Sequence, residues 1–195
     1  MKQITTLVAA FAFAGVLGIQ LPAGAQVPAT EKPKYVGVES CGMCHKSAAK
    51  GNQLGQWQGS RHAQAYATLA TPKAKEIAAA KGIADPQKAD QCLKCHVTAH
   101  GVDASLIQAA AEGKKGHKVE DGVGCESCHG PGSLYKAMAV MKDKAVATTK
   151  GLLTPNEATC KKCHNAESPT AKPFVFADMV KKIAHPYPAT AGGAK

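Results

Sequence analysis

The chain is predicted to be mostly α-helical, with short helices joined by long irregular connections. Three observations carry that prediction. First, all eight cysteines fall in four Cys-x-x-Cys-His motifs, Cys41–His45, Cys92–His96, Cys125–His129 and Cys160–His164. This pattern attaches a c-type haem through two thioether bonds and offers the following histidine to the iron. Second, helix caps and stops fill the stretches between motifs, and none alternates apolar and polar residues as a half-buried strand would. Third, the apolar fraction is mainly Ala and Gly, with 5% aromatics and a single Trp. Such a chain has little to pack by itself. The expected architecture is therefore a multihaem cytochrome c fold, its helices and loops wrapped around four closely packed haems. The haem-free chain is expected to fold poorly.

In order along the chain, residues 1–25 read as a secretory signal. Lys2 supplies the positive start, Ile4 to Ile19 the apolar run, and Ala23-Gly24-Ala25 the cleavage signal. Residues 26–40 read as a Pro-containing extended lead-in, and 41–195 as one tetrahaem domain. The motifs begin at 41, 92, 125 and 160, too irregularly for a solenoid repeat. Ser60 is placed to cap a helix over 61–70. Thr71-Pro72 opens one through Ala80 that ends at Gly82. Asp103 is placed to cap 104–112 and Ser133 to cap 134–142. Thr154-Pro155-Asn156-Glu157 reads as a capping box before the fourth motif. A last helix over 174–183 stops at His185-Pro186.

The histidines give a ligand count. Beyond the four proximal ones, His45, His96, His129 and His164, four remain: His62, His100, His117 and His185. Four haems with two axial positions each require eight ligands, so the numbers match full bis-histidine ligation. If the helix through His96 continues, His100 lies on the same face and must serve another haem, another subunit or none. Methionine is the competing ligand type, but Met43 sits inside a motif, and Met138, Met141 and Met179 occupy helical packing positions. Arg61, the sole arginine, is placed to pair with a haem propionate, and Trp57 to pack on a haem face.

Charge excludes one class of partner. The formal net charge is +10; removal of Lys2 with the signal takes away one charge, and the haems offset much of the rest, leaving roughly +5 with four oxidised haems and roughly +1 with four reduced ones. No basic run is interleaved with aromatics, so nucleic-acid binding is not expected. The residual charge suits redox partners with acidic docking surfaces. Zinc ribbons and disulfides are the alternative uses of paired cysteines, yet neither calls for a histidine directly after each pair.

Two segments carry a family resemblance. Cys41-Gly-Met-Cys-His45 followed by Gln56-Trp57-Gln58-Gly59-Ser60-Arg61-His62 resembles the start of the cytochrome c-554 family of tetrahaem proteins. So does Gly122-Val123-Gly124-Cys125-Glu126-Ser127-Cys128-His129-Gly130-Pro131-Gly132. The resemblance implies a mostly helical fold with haems stacked in close pairs. It also implies electron transfer, in nitrifiers from hydroxylamine oxidation to downstream carriers. It further implies His62 as distal ligand to the third haem, His117 to the first and His185 to the fourth, with the second haem, at His96, five-coordinate. A similar layout occurs in extracellular cytochrome filaments, where a histidine of one subunit ligates a haem of the next, and His100 is the candidate for such a bridge.

The expected function is electron transfer by an exported tetrahaem cytochrome, in the periplasm or at the outer surface. Saturated irons leave no substrate site, and no catalytic constellation is visible. The alternatives are a filament subunit and an enzyme acting on a small nitrogen species at a five-coordinate haem.

Overall fold

The spacing of each attachment motif favours a helix, because cysteines three apart and a histidine four after the first share one helical face. The computed structural model describes residues 31–188. Its first helices are α1 (Val38–His45), α2 (Gln53–Gln58), α3 (Ala65–Thr68), α4 (Pro72–Ala79) and α5 (Asp90–His96). Then follow α6 (Cys125–His129), α7 (Met138–Met141), α8 (Lys144–Thr149), α9 (Glu157–Lys161) and α10 (Phe176–Ile183). Helices α1, α5 and α6 end on their motif histidines. The fourth motif starts in α9 and closes in a turn, with the His164 N–H on the Cys160 carbonyl at 3.0 Å. Strand structure among the described residues is limited to isolated bridges, so the mostly α prediction holds.

Several local signals act as the sequence suggests. Thr71 Oγ1 accepts from the Ala74 N–H, with Pro72 in the first turn of α4. Helix α10 stops at Ile183, and Ala184 is extended ahead of Pro186.

Others are overridden by tertiary contacts. The helix expected over 104–112 is a single 3-10 turn, Ala104–Leu106, capped by Asp103. Beyond it the backbone is extended, because Tyr35 and His117 take its hydrogen bonds: Gln108 N to Tyr35 O at 2.8 Å and His117 N to Gln108 O at 2.7 Å. Ser133 does not cap 134–142. Its Oγ accepts from Lys34 N at 2.7 Å, and only Met138–Met141 is helical there. Helix 61–70 shrinks to α3, although Ser60 Oγ does accept from Ala63 N at 3.3 Å. The capping box before the fourth motif uses Asn156 and Thr159, not Thr154. Helix α8, capped by Asp143, is not anticipated from the sequence.

The apolar interior of the described residues is thin, with Val36, Val38, Leu69, Val97 and Tyr135 its larger buried members. Two buried polar side chains do much of the joining. Glu126, 3% exposed, accepts from the backbone N–H groups of Val36, Gly37 and Gly132 at 2.7–3.0 Å. It thereby clips the segment before α1 and the loop after α6 to the third motif. Gly37 suits this close approach: its φ is +79°, and a Cβ there would lie 2.0 Å from Gly116 O. Thr98, 4% exposed, joins the second motif to the third. Its Oγ1 accepts from Gly124 N at 2.7 Å and lies 3.0 Å from Gly122 O and 2.8 Å from Ser127 Oγ.

The described part of the lead-in is thus built into the fold. Lys32 to Pro188 lie in one compact unit. The signal segment over 1–25 and the start of the lead-in lie outside the described residues. No helix among the described residues is long and apolar enough to cross a membrane.

Candidate haem-attachment centres

The four motifs converge. The Cys41 and Cys125 thiols lie close enough to interact, joining the first motif to the third. Cys95 and Cys163 are likewise close, joining the second to the fourth, and Cys128 and Cys160 are electrostatic neighbours. The ion pair of Lys94 with Glu167 spans the second and fourth motif regions beside the Cys95–Cys163 contact. The contact with Cys125 and burial push the Cys41 thiol up, and burial pushes Cys163 up to about 12. All eight cysteines are free of disulfides.

The histidines fall into two close pairs. The rings of His62 and His164 have centroids 6.0 Å apart at 80°, and those of His129 and His185 also 6.0 Å apart, at 72°. Imidazoles on opposite sides of one metal ion place their ring centres about 6 Å apart, given metal–nitrogen bonds of about 2.0–2.1 Å and a nitrogen roughly 1.1 Å from each ring centre. Both pairs match that span. Burial lowers the affinity of His62 and His129 for protons, with the facing imidazoles adding to the effect. This favours the neutral form that a metal needs. These pairings differ from the assignment that the resemblance implies: the His62 ring faces His164 of the fourth motif, and the His185 ring faces His129 of the third. Chain order alone does not show that the segments before α3 and after α10 cross over in this way.

Backbone carbonyls orient the rings. The Nδ1 atoms of His96, His129 and His185 lie 2.7, 3.1 and 2.8 Å from the carbonyls of Ala65, Leu153 and Ile183. Donation from Nδ1 leaves Nε2 free for iron, the usual outer-sphere arrangement. His117 is reversed, with Nε2 2.7 Å from Thr98 O, so Nδ1 is its free nitrogen. The Gly116–His117 backbone packs on Gly37, just ahead of α1 and the first motif.

His100 joins neither pair. Helix α5 ends at His96 and Val97 is extended, so the helix expected to carry His100 onto the same face does not continue. Its Nε2 lies 3.1 Å from Asp90 Oδ1. Trp57 donates its indole N–H to Val123 O at 2.8 Å, and Arg61 is exposed. Sequence reasoning missed Phe174, which stacks on His164 at 4.9 Å and 24°. It also missed Glu126 and Thr98. For Glu126, a signal was available: a charged residue in a glycine-flanked motif.

These residues fit covalently held haem. Each haem needs one cysteine pair and one or two imidazoles, and the structure supplies those. A zinc site needs three or four ligands gathered together, and among the described residues no cluster of three or more His, Cys, Asp or Glu side chains is disposed to hold a metal ion. Fold and site together define a c-type cytochrome. Residues 40–130 match the family model for cytochrome c554 and c-prime. Cytochrome c-554 of Nitrosomonas europaea is 31% identical over 138 residues, 66% of this chain and 51% of that protein. Over these residues the chain is similar to the cytochrome c-554 family. It spans about half the length of the relative it matches. No solved structure gives a significant match.

Proposed function

We propose that the chain is an exported tetrahaem c-type cytochrome that passes electrons between redox partners through largely bis-histidine haems. The observation that carries this reading is the pair of 6.0 Å imidazole couples, His62–His164 and His129–His185. When bound, haem supplies reversible one-electron exchange. The chain's residues then fix its ligation. Cys41 and Cys44, Cys92 and Cys95, Cys125 and Cys128, and Cys160 and Cys163 would hold four haems. His45, His96, His129 and His164 would be the proximal ligands. His62 and His185 would close the fourth and third sites, and His117 would serve the first through Nδ1. A saturated iron does not bind substrate, which suits a carrier. The sulfur contacts between motifs favour closely spaced haems in the order first, third, fourth, second. Haem attachment takes place outside the cytoplasm, so the expected signal segment points to the periplasm. The lysine excess suits partners with acidic docking surfaces.

One observation favours a second reading at a single centre. Among the described residues no imidazole is paired with His45 or His96, but His117 packs just ahead of the first motif, whereas His100, the histidine nearest His96 in the chain, is engaged by Asp90. An open coordination position there would bind small ligands.

Electron paramagnetic resonance of the fully oxidised holoprotein, with haem content measured alongside, tests both readings. Four haems per chain with predominantly low-spin signals are expected. Fewer than four haems, or a majority of high-spin signals, refutes the bis-histidine carrier. One high-spin haem that responds to nitric oxide supports the open second centre, and its absence removes it.

A further inference from the structure

We propose that Glu126 holds the two haems of the first and third motifs at lower reduction potential than those of the second and fourth. The inference rests on the tetrahaem reading above.

Both carboxyl oxygens act purely as acceptors. Oε1 takes the Val36 N–H at 2.9 Å and the Gly132 N–H at 2.7 Å. Oε2 takes the Val36 N–H at 3.0 Å and the Gly37 N–H at 2.9 Å. Three backbone N–H groups donate to these oxygens, the acceptor-only arrangement that suits an ionised carboxyl. The amides that hold it are neutral, and among the described residues no Lys, Arg or His forms an ion pair with it. A full negative charge therefore sits in the interior without a cationic partner, where its field is poorly screened.

That charge lies where the first and third motifs meet. Glu126 follows Cys125 directly, Cys125 lies beside Cys41, and the Glu126 carboxylate acts on both sulfurs, with Asp121 adding to it at Cys125 and Lys136 opposing it at Cys41. The other junction is balanced differently. At Cys95 and Cys163 the nearby charges include Lys94, paired with Glu167, and Lys162. A fixed anion disfavours an added electron nearby, so Glu126 stabilises the ferric state of its own pair and biases electrons toward the second and fourth haems.

The test is a spectroelectrochemical titration of the wild-type holoprotein and Glu126→Gln, after haem content and low-spin signals have been compared. Two of the four haems are expected to shift positive while the other two stay. The electron-exchange constant between the pairs should change at least tenfold, about 59 mV for one electron. Four unmoved potentials, or an equal shift of all four, overturn the role of Glu126 while leaving the carrier intact. A wild-type protein without haem overturns the carrier itself. If Glu126→Gln does not assemble, redox infrared difference spectra of isotopically glutamate-labelled wild-type protein decide instead. A glutamate carboxylate band must shift over the range where the lower pair titrates, and no such shift overturns the proposal.

Discussion

The crossed pairing of His62 with His164 and of His129 with His185 predicts which variants act on the same iron. His62→Ala removes one of the two rings whose centres lie 6.0 Å apart at the fourth motif. One haem is a quarter of the total haem, and that quarter should turn from low-spin to high-spin. The main-chain role of His62 survives, because its carbonyl, not its ring, accepts from Val123 N and Ala65 N. His185→Ala should convert a different quarter, since the two pairs share no residue, so the double variant should convert half of the total haem. Phe174 provides an independent marker. It stacks on His164 at 4.9 Å without being a ligand, so Phe174→Ala should alter the g-values of one low-spin signal and convert none. That signal should be the one His62→Ala abolishes, and the double variant should be no worse in spin count than His62→Ala alone. Such non-additivity is expected of residues acting through one partner. The assay is low-temperature electron paramagnetic resonance with spin counting at equal haem content. If His62→Ala and Phe174→Ala act on different haems, or His62→Ala and His185→Ala on the same one, the crossed pairing is refuted.

Three further outcomes are expected. Thr98→Val keeps the side-chain volume but strands the buried Gly124 N–H and removes the contacts to Gly122 O and Ser127 Oγ. A loss of about 2–3 kcal/mol follows, read as a lower denaturation midpoint of the holoprotein, with Thr98→Ser close to wild type. Trp57→Phe leaves Val123 O without its indole donor and should cost about 1–2 kcal/mol; a midpoint equal to wild type would remove that bond from the account. Burial holds His62 and His129 below the ordinary imidazole value of 6.5, so below about that pH the unfolded chain binds more protons than the folded one. Their contribution should be complete above it and fall as the pH drops, seen as acid loss of the low-spin Soret spectrum; a flat profile from pH 7 to 4 would contradict it.

What was legible in the sequence is what depends on short range. The helical turns at the Cys-x-x-Cys-His motifs, the Thr71 cap and the stop after Ile183 are set by residues within a turn of one another, and the structure shows them. The helix expected over 104–112 fails because Ala-rich sequence is compatible with helix but does not compel it. Tyr35 and His117 offer its backbone amides and carbonyls partners from distant parts of the chain. Asn156 displaces Thr154 as cap by geometry that propensity cannot rank, since both residue types cap well. The eight histidines could be counted but not paired, because facing rings come from segments more than fifty residues apart (His62–His164 and His129–His185). Glu126 and Thr98 were missed for the same reason. Their partners are main-chain groups, which carry no sequence signature.

The two segments that first suggested the family prove to be halves of one junction. Trp57 from the first segment donates to Val123 O of the second, and Val123 N donates to the carbonyl of His62. Thr98 then fixes the glycines on either side of Val123, while its own carbonyl receives His117 Nε2. Glu126, three residues beyond Val123, ties the same region to the chain ahead of the first motif. His62, His117 and the first and third motifs are therefore positioned through a single set of buried backbone hydrogen bonds. Apolar packing is too thin here to do this alone, and directional bonds constrain ligand position more tightly than non-directional burial does. A haem protein with so few large side chains must place its imidazoles by such bonds. This explains why Trp, Thr and Glu appear at these positions when none of them is a ligand.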